Sequence, residues 1–174
     1  MYINMSLFFP TEVTKEDVFT GIRKELAIHD FTIINNEARP WGGFFVIDED
    51  QATKFLEIYF PSLNENEVVA ENKLSPKILV VEAGKRLSWQ YHYRRAEVWK
   101  VIGGTVGIIR SDSNHENATE ALNAGDIIKL KQGERHRLVG LNDWGIIAEI
   151  WQHTNKEWPS DEEDIVRLND DFGR

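Results

Sequence analysis

Gln90, His92 and Glu97 fall within eight positions in the stretch Gln90-Tyr-His-Tyr-Arg-Arg-Ala-Glu-Val-Trp99, and each carries a side chain able to bind a metal ion. Residues two apart on a strand point to the same face, so Gln90 and His92 would present an amide and an imidazole together. Glu97 stands five residues beyond His92, an odd step. A turn or irregularity at Arg94-Arg95 is therefore needed to return it to that face. A fourth ligand must come from elsewhere. Among the other histidines His136 is best placed, because it follows the turn Lys131-Gln-Gly-Glu-Arg135 and opens a strand; His29 falls at a helix end, and His115 and His153 in polar stretches. Two nitrogens, a carboxylate and an amide oxygen suit zinc or another divalent first-row ion, with bonds of roughly 2.0–2.2 Å for zinc. Spacing alone also fits the plainer reading, in which a His and a Glu on a strand are surface or hydrogen-bonded residues.

The elements that must position these groups are mostly strands. Thr14-Lys-Glu-Asp17 has the form of a capping box, and Val18, Phe19, Ile22 and Leu26 follow at helical spacing, which predicts one N-terminal helix. Phe31–Ile34 reads as a short strand, broken by Arg39-Pro-Trp-Gly-Gly43. Strands are then expected at 43–47, 55–60, 78–82, 86–93, 97–103, 105–110, 126–130, 136–140 and 146–152, separated by turns such as Gly103-Gly104 and Gln132-Gly133. Residues 64–72 and 116–124 read as loops, the second closing a long hairpin. This rhythm of short strands and turn residues predicts a sandwich or barrel.

At 174 residues the chain is one ordinary domain with a short appendage, and 41% hydrophobic with 28% charged residues fits a compact fold. The absence of cysteine removes disulfides, thiol nucleophiles and thiolate metal sites. No stretch approaches the roughly 20 apolar residues of a membrane span, and no basic region with a long apolar run opens the chain, so a cytoplasmic protein is expected. A net charge of −9 speaks against nucleic acid as a partner. The charge is uneven: acids crowd the end (Asp161 to Asp164, Asp170, Asp171), while bases gather in the middle (Lys85, Arg86, Arg94, Arg95, Lys129, Lys131, Arg135, Arg137). Such a basic cluster fits a small anion such as a phosphate ester, or a solvated strand face.

Two segments carry a family resemblance. Gly84-(five residues)-Gln90-x-His92-(four)-Glu97-(six)-Gly104 resembles the first cupin motif, with Gln in place of its first His. Gly125-(five)-Lys131-x-Gly133-(two)-His136-(three)-Gly140 resembles the second, twenty residues further on, with Lys for the usual Pro and Gly for the usual Asn. The resemblance implies an all-β double-stranded β-helix, or jelly-roll barrel, over residues 39–174, holding a metal at its mouth. The first 38 residues are then an extension with one helix.

Arg39-Pro-Trp-Gly42, Leu87-Ser-Trp-Gln90 leading into His92–Trp99, and the ending Glu163-Asp-Ile-Val-Arg167 to Arg174 narrow the resemblance to the type II phosphomannose isomerase family. In many of its members this domain is the C-terminal part of a bifunctional mannose-1-phosphate guanylyltransferase, and its first metal position is commonly Gln. The resemblance implies a sugar-phosphate aldose–ketose isomerase, mannose 6-phosphate to fructose 6-phosphate first, using one divalent ion, zinc by expectation. Its ligands would be Gln90, His92, Glu97 and His136. Without a glycine-rich nucleotide loop, GTP use is not expected.

For the base, Glu149 leads, because a carboxylate within the apolar run Ile147-Ala-Glu-Ile-Trp151 would have its pKa raised by desolvation. Lys129 is the second candidate. Arg167 matches the family's C-terminal Arg and would polarise a sugar hydroxyl or stabilise the enediolate, and Arg174 and Arg39 would bind phosphate. Lys85, Arg95 and Arg135 flank the motif strands as further phosphate contacts, and Trp41 and Trp89 are candidate walls of the sugar pocket. Tyr93 and Arg94 stand where the family has histidines, and Val98 where it often has one, so these positions are expected to alter substrate preference. The alternatives are an isomerase of another hexose or heptose phosphate, and a non-catalytic cupin that binds sugar or metal. Pairing of barrel edges into a homodimer is the expected assembly.

Overall fold

Thr14 opens the N-terminal helix as its spacing predicts: its hydroxyl accepts a hydrogen bond from the Asp17 backbone N–H at 3.2 Å, and α1 runs Lys15–Ile28 with Val18, Phe19, Ile22 and Leu26 buried. The computed structural model describes residues 7–64, 68 and 73–174. The loop expected at 64–72 lies almost wholly outside them.

Eleven strands follow or flank α1 among the described residues. They are β1 Ile33–Arg39, β2 Gly42–Ile47, β3 Lys77–Val81, β4 Trp89–Tyr91, β5 Arg95–Gly103, β6 Thr105–Ser111, β7 Glu120–Asn123, β8 Ile127–Leu130, β9 Arg135–Gly140, β10 Gly145–His153 and β11 Val166–Asn169. They form a six-stranded sheet in the order β1-β2-β3-β10-β5-β8 and a five-stranded sheet in the order β11-β4-β9-β6-β7, paired antiparallel throughout. This is the expected double-stranded β-helix of the cupin type.

Strand β10 explains how the six-stranded sheet uses both faces. Ile146, Ala148 and Ile150 point to one side and join α1 and a second helix in one apolar cluster, while Ile147 points to the other side and joins Trp99, Val101, Ile108 and Leu138 between the sheets. Alternation with period two lets one strand serve two cores. The β1–β2 hairpin depends on glycine: at Gly42, with φ +142°, a Cβ would fall 1.9 Å from the Val80 carbonyl oxygen.

Four expectations need correction. Residues 55–60 are not a strand; α2 runs Ala52–Tyr59, entered from a turn in which the Asp48 carboxylate accepts from Asp50 N–H at 3.1 Å. Its Ala52, Phe55 and Tyr59 bury one helical face, which six residues of pattern could not distinguish from a strand. The segment expected as a strand over 86–93 is regular only at β4. The long hairpin loop contains β7. The acidic C-terminal segment contains β11, which pairs with β4 across Arg167↔Gln90. Among the described residues, no helix is long and apolar enough to cross a membrane.

Candidate metal centre and its cavity

Gln90 and His136 are direct partners across β4 and β9, so the register itself sets the second motif beside the first. His92 follows one residue after β4. The irregularity that the odd spacing to Glu97 requires is a bend at Tyr93-Arg94, whose backbone N–H groups both donate to the Asp164 carboxylate at 3.0 Å. This bend brings Glu97, on β5, back to the inner face.

The two imidazoles are fixed from behind. His92 Nδ1 lies 2.6 Å from the Asp164 carbonyl oxygen, and His136 Nδ1 lies 2.9 Å from the Glu134 carbonyl oxygen. A carbonyl only accepts, so each Nδ1 carries the proton and each Nε2 presents a lone pair. Those lone pairs meet Glu97: His92 Nε2 is 3.1 Å from Oε1, and His136 Nε2 is 3.3 Å from Oε2. All three side chains are buried, and their candidate ligand atoms lie within 4.8 Å of one another. His136 Nε2 makes no hydrogen bond there. Acceptors facing acceptors in a buried site call for a cation between them, so the donor set fits a divalent ion.

Arg95 now supplies part of that positive charge. Its Nε donates to Glu97 Oε1 at 2.8 Å, and its Nη2 lies 3.3 Å from His92 Nε2. Burial lowers the His92 pKa, keeping the ring neutral. Burial pushes the Glu97 carboxyl up, yet its cationic and donor neighbours outweigh this and hold it well below the usual carboxylate range. Gln90 completes the group: its Oε1 accepts from Ser88 Oγ at 2.5 Å, and its Nε2 lies 3.5 Å from His92 Nε2. A half-turn of the amide turns the oxygen to the ligands and lets the NH2 donate to Ser88.

The cluster opens on a cavity of about 260 Å³, to which Gln90, Arg95, Glu97, Trp99, Glu149 and Trp151 contribute. Glu149 is buried, and its Oε1 accepts from Trp99 Nε1 at 3.0 Å. Burial, then the Glu97 charge, push its pKa up to about 7, against the pull of Lys77 and Arg95. Arg39, Trp41, Arg167 and Arg174 line the cavity as well. Arg39 pairs with Glu37, and Arg174 is tied to Asp170 at 2.8 and 3.2 Å, so the final residue is held rather than frayed. The Arg167 side chain makes no hydrogen bond or ion pair among the described residues. Burial and then the Arg174 charge lower its pKa.

Other expected residues lie elsewhere. Lys129 is exposed on β8 between Ile128 and Leu130, which face inward, so its side chain turns away from the cavity. Lys85 sits on an exposed turn. Arg135 is on the face of β9 opposite His136 and stacks 4.2 Å from the Tyr91 ring centroid. Trp89 is buried and donates to the Asn114 carbonyl, outside the cavity lining. Tyr93 is exposed, Arg94 reaches Asp161 and Trp158, and Val98 packs in the helix-covered cluster, so none of the three faces the cavity. The basic middle of the sequence is largely matched by the acidic end, through Arg86–Asp171, Arg137–Asp171 and Arg94–Asp161. Sequence reasoning missed Asp164, Trp99 and Lys77. The available signal for Lys77 was a charged residue opening the apolar run Lys77-Ile-Leu-Val-Val81.

Comparison with known proteins bears on this site. The family model described as the mannose-6-phosphate isomerase C-terminal domain matches residues 48–170. The xanthan biosynthesis protein XanB of Xanthomonas campestris pv. campestris (strain B100) is 30% identical over 136 residues, 78% of this chain and 23% of the relative. The alginate biosynthesis protein AlgA of Pseudomonas aeruginosa is 31% identical over 118 residues, 68% of this chain and 23% of the relative. The chain thus spans about a quarter (23%) of the length of these relatives. Among solved structures, the oxalate decarboxylase of Lactobacillus farciminis aligns with a TM-score of 0.52 at 14% identity, covering 77% of this chain and 33% of that one. The latter shows the shared fold alone.

Proposed function

The chain belongs to the mannose-6-phosphate isomerase C-terminal family, and from that premise we propose that it is a metal-dependent aldose–ketose isomerase acting on mannose 6-phosphate and fructose 6-phosphate. One observation carries the reading: Glu149, a carboxylate poised near neutrality, lines the same cavity as the His92–Glu97–His136 cluster and the unpaired Arg167. A divalent ion held by His92, His136, Glu97 and Gln90, zinc by the donor set, would supply Lewis-acid stabilisation of charge on the sugar oxygens.

The chain's own residues do the rest. Isomerisation moves a proton between C1 and C2 through a cis-enediol. Trp99 anchors Glu149 Oε1, leaving Oε2 to take the proton from one carbon and return it to the other. A base with a pKa near working pH can do both. Arg167 is placed to stabilise the enediolate, and Arg39 and Arg174 to hold the phosphate beside the Trp41 wall. Arg39 lies on β1, Arg167 on β11 and Arg174 beyond it in the chain, and Leu79, Leu87 and Trp99 add apolar surface to the cavity lining.

Two features favour an enzyme over a non-catalytic binder. Glu149 points into the cavity, and the departures at Tyr93, Arg94 and Val98 lie outside it. The test is to follow fructose 6-phosphate formation from mannose 6-phosphate by zinc-loaded protein, beside His136→Ala. Turnover that disappears in the variant is expected. A metal-replete chain inert on this and other hexose or heptose phosphates would overturn the reading.

A further inference from the structure

Lys77 opens β3, in register with Val46 on one side and Glu149 on the other, and is 5% exposed. Its ammonium lies 4.2 Å from the Trp151 ring centroid and 5.5 Å from that of Phe44. Aromatic faces favour a cation but cannot satisfy the three N–H donors of an ammonium. Its ion-pair partner is Glu162. The two partners are unlike: the Lys77 side chain is 6% exposed and that of Glu162 is 67% exposed.

The segment bearing Glu162 is anchored on both sides of it. Ser160 and Asp164 are buried and joined to each other at 2.6 Å, and Asp161 accepts from the Glu163 and Asp164 backbone N–H groups at 3.0 Å. The Glu162 carboxylate makes no other hydrogen bond or ion pair among the described residues. Its carboxylate is thus free to swing into water without disturbing the backbone. Lys77 has no such freedom, and a buried ammonium left without a counter-charge is strongly unfavourable. With Glu162 away, the neighbouring Glu149 carboxyl, which titrates at about 7, is the remaining counter-charge, so an entering anion is favoured in the vacated place.

Position gives this pair a use. On β3, Lys77 stands four residues from Val81, which faces Gly42 beside the Arg39–Trp41 end. At about 3.3 Å per residue the two positions are roughly 13 Å apart along the strand. Lys77 and the Arg39–Trp41 end both line the cavity, which therefore carries cations in two groups: Arg39, Arg167 and Arg174 towards one end, and Lys77 with Arg95, which share the Trp151 ring, towards the other. The Phe44 ring lies near both Arg39 and Lys77. We propose that Lys77 forms a second anion subsite, and that Glu162 is its resident occupant, displaced when the phosphate or carboxylate group of a small ligand enters. The subsite rests on the cavity and the ion pair, not on the isomerase reading, and its test needs no turnover.

The test is calorimetric titration of inorganic phosphate into the native chain, Glu162→Gln and Glu163→Gln. Glu163 is one residue away and exposed, and its substitution changes net charge equally without touching Lys77. If Glu162 leaves the subsite open about a tenth of the time, its removal tightens binding about tenfold, while Glu163→Gln stays near the native value. Adding Lys77→Met to Glu162→Gln abolishes the gain. Equal tightening in both single variants, no tightening in Glu162→Gln, or a gain that survives Lys77→Met overturns the proposal. Both single substitutions lie at exposed positions, and circular dichroism with thermal melting checks that each variant is folded before titration. Mannose 6-phosphate titrated in parallel identifies the source: tightening of inorganic phosphate alone assigns the subsite to the free ion, and tightening of both assigns it to a phosphate ester.

Discussion

The six-stranded sheet has two faces built from the same strands, and they are chemically opposite. On the outer face, Phe45, Val98, Ala148 and Ile150 meet α1 and α2 in a cluster that is apolar throughout. On the inner face the neighbouring positions Phe44, Glu97, Glu149 and Trp151 line the cavity. One step along β2, β5 or β10 exchanges one environment for the other. The outer face can be read as stability alone. The inner face buries charges that desolvation penalises, the arrangement that the proposed chemistry would use.

Substitutions on the two faces should therefore separate activity from stability. Glu149→Gln is expected to lower kcat by roughly 100- to 10,000-fold, as loss of a general base does, measured by steady-state kinetics on zinc-loaded protein. The same change should stabilise the metal-free protein at pH 8. A carboxyl whose pKa is raised from 4.5 to about 7 gives stability that is present below 4.5 and lost as pH rises through about 7. Glutamine removes that loss, so the difference between variant and native melting should grow with pH.

Phe45→Ala tests the outer face. Phe45 is fully buried, with its ring centroid 4.9 Å from that of Phe19. Its truncation should cost about 3–5 kcal/mol in chemical denaturation and leave kcat per folded molecule unchanged. A Phe45→Ala enzyme that stays stable but turns over poorly would break the division between faces.

Smaller effects sharpen it. Arg167→Ala should lower kcat by about 10- to 100-fold, the loss of hydrogen bonds to the charge that develops on the enediolate, with little change in melting. Thr14→Ala removes the cap of α1 and should cost about 1 kcal/mol, read by thermal unfolding, with kinetics intact.

The same division decides what the sequence could convey. The cluster of Gln90, His92, Glu97 and His136 was legible because two cupin-like motifs, each a local pattern of spacing and turn residues, mark those positions. Glu149 stood out as a carboxylate in an apolar run. Lys129 looked similar by composition, but the register Val98↔Lys129 turns it outward. The cavity's arginines depend on β11, whose polar residues become a strand only by pairing with β4, a tertiary effect that no local pattern carries. The role of Asp164 was hidden for the same reason: it caps the Tyr93-Arg94 bend from about seventy residues away (|i−j| 71 and 70). The misread strand at 55–60 belongs to the outer face, where short apolar runs look alike in either conformation.

The central claim is that the buried cluster on the inner face is a metal centre. Metal analysis by mass spectrometry, after reconstitution with zinc and exhaustive dialysis, tests it without reference to turnover. The account predicts a single retained ion per native chain and none in folded His136→Ala. Equal metal content in the two proteins, or none in the native chain, would contradict it.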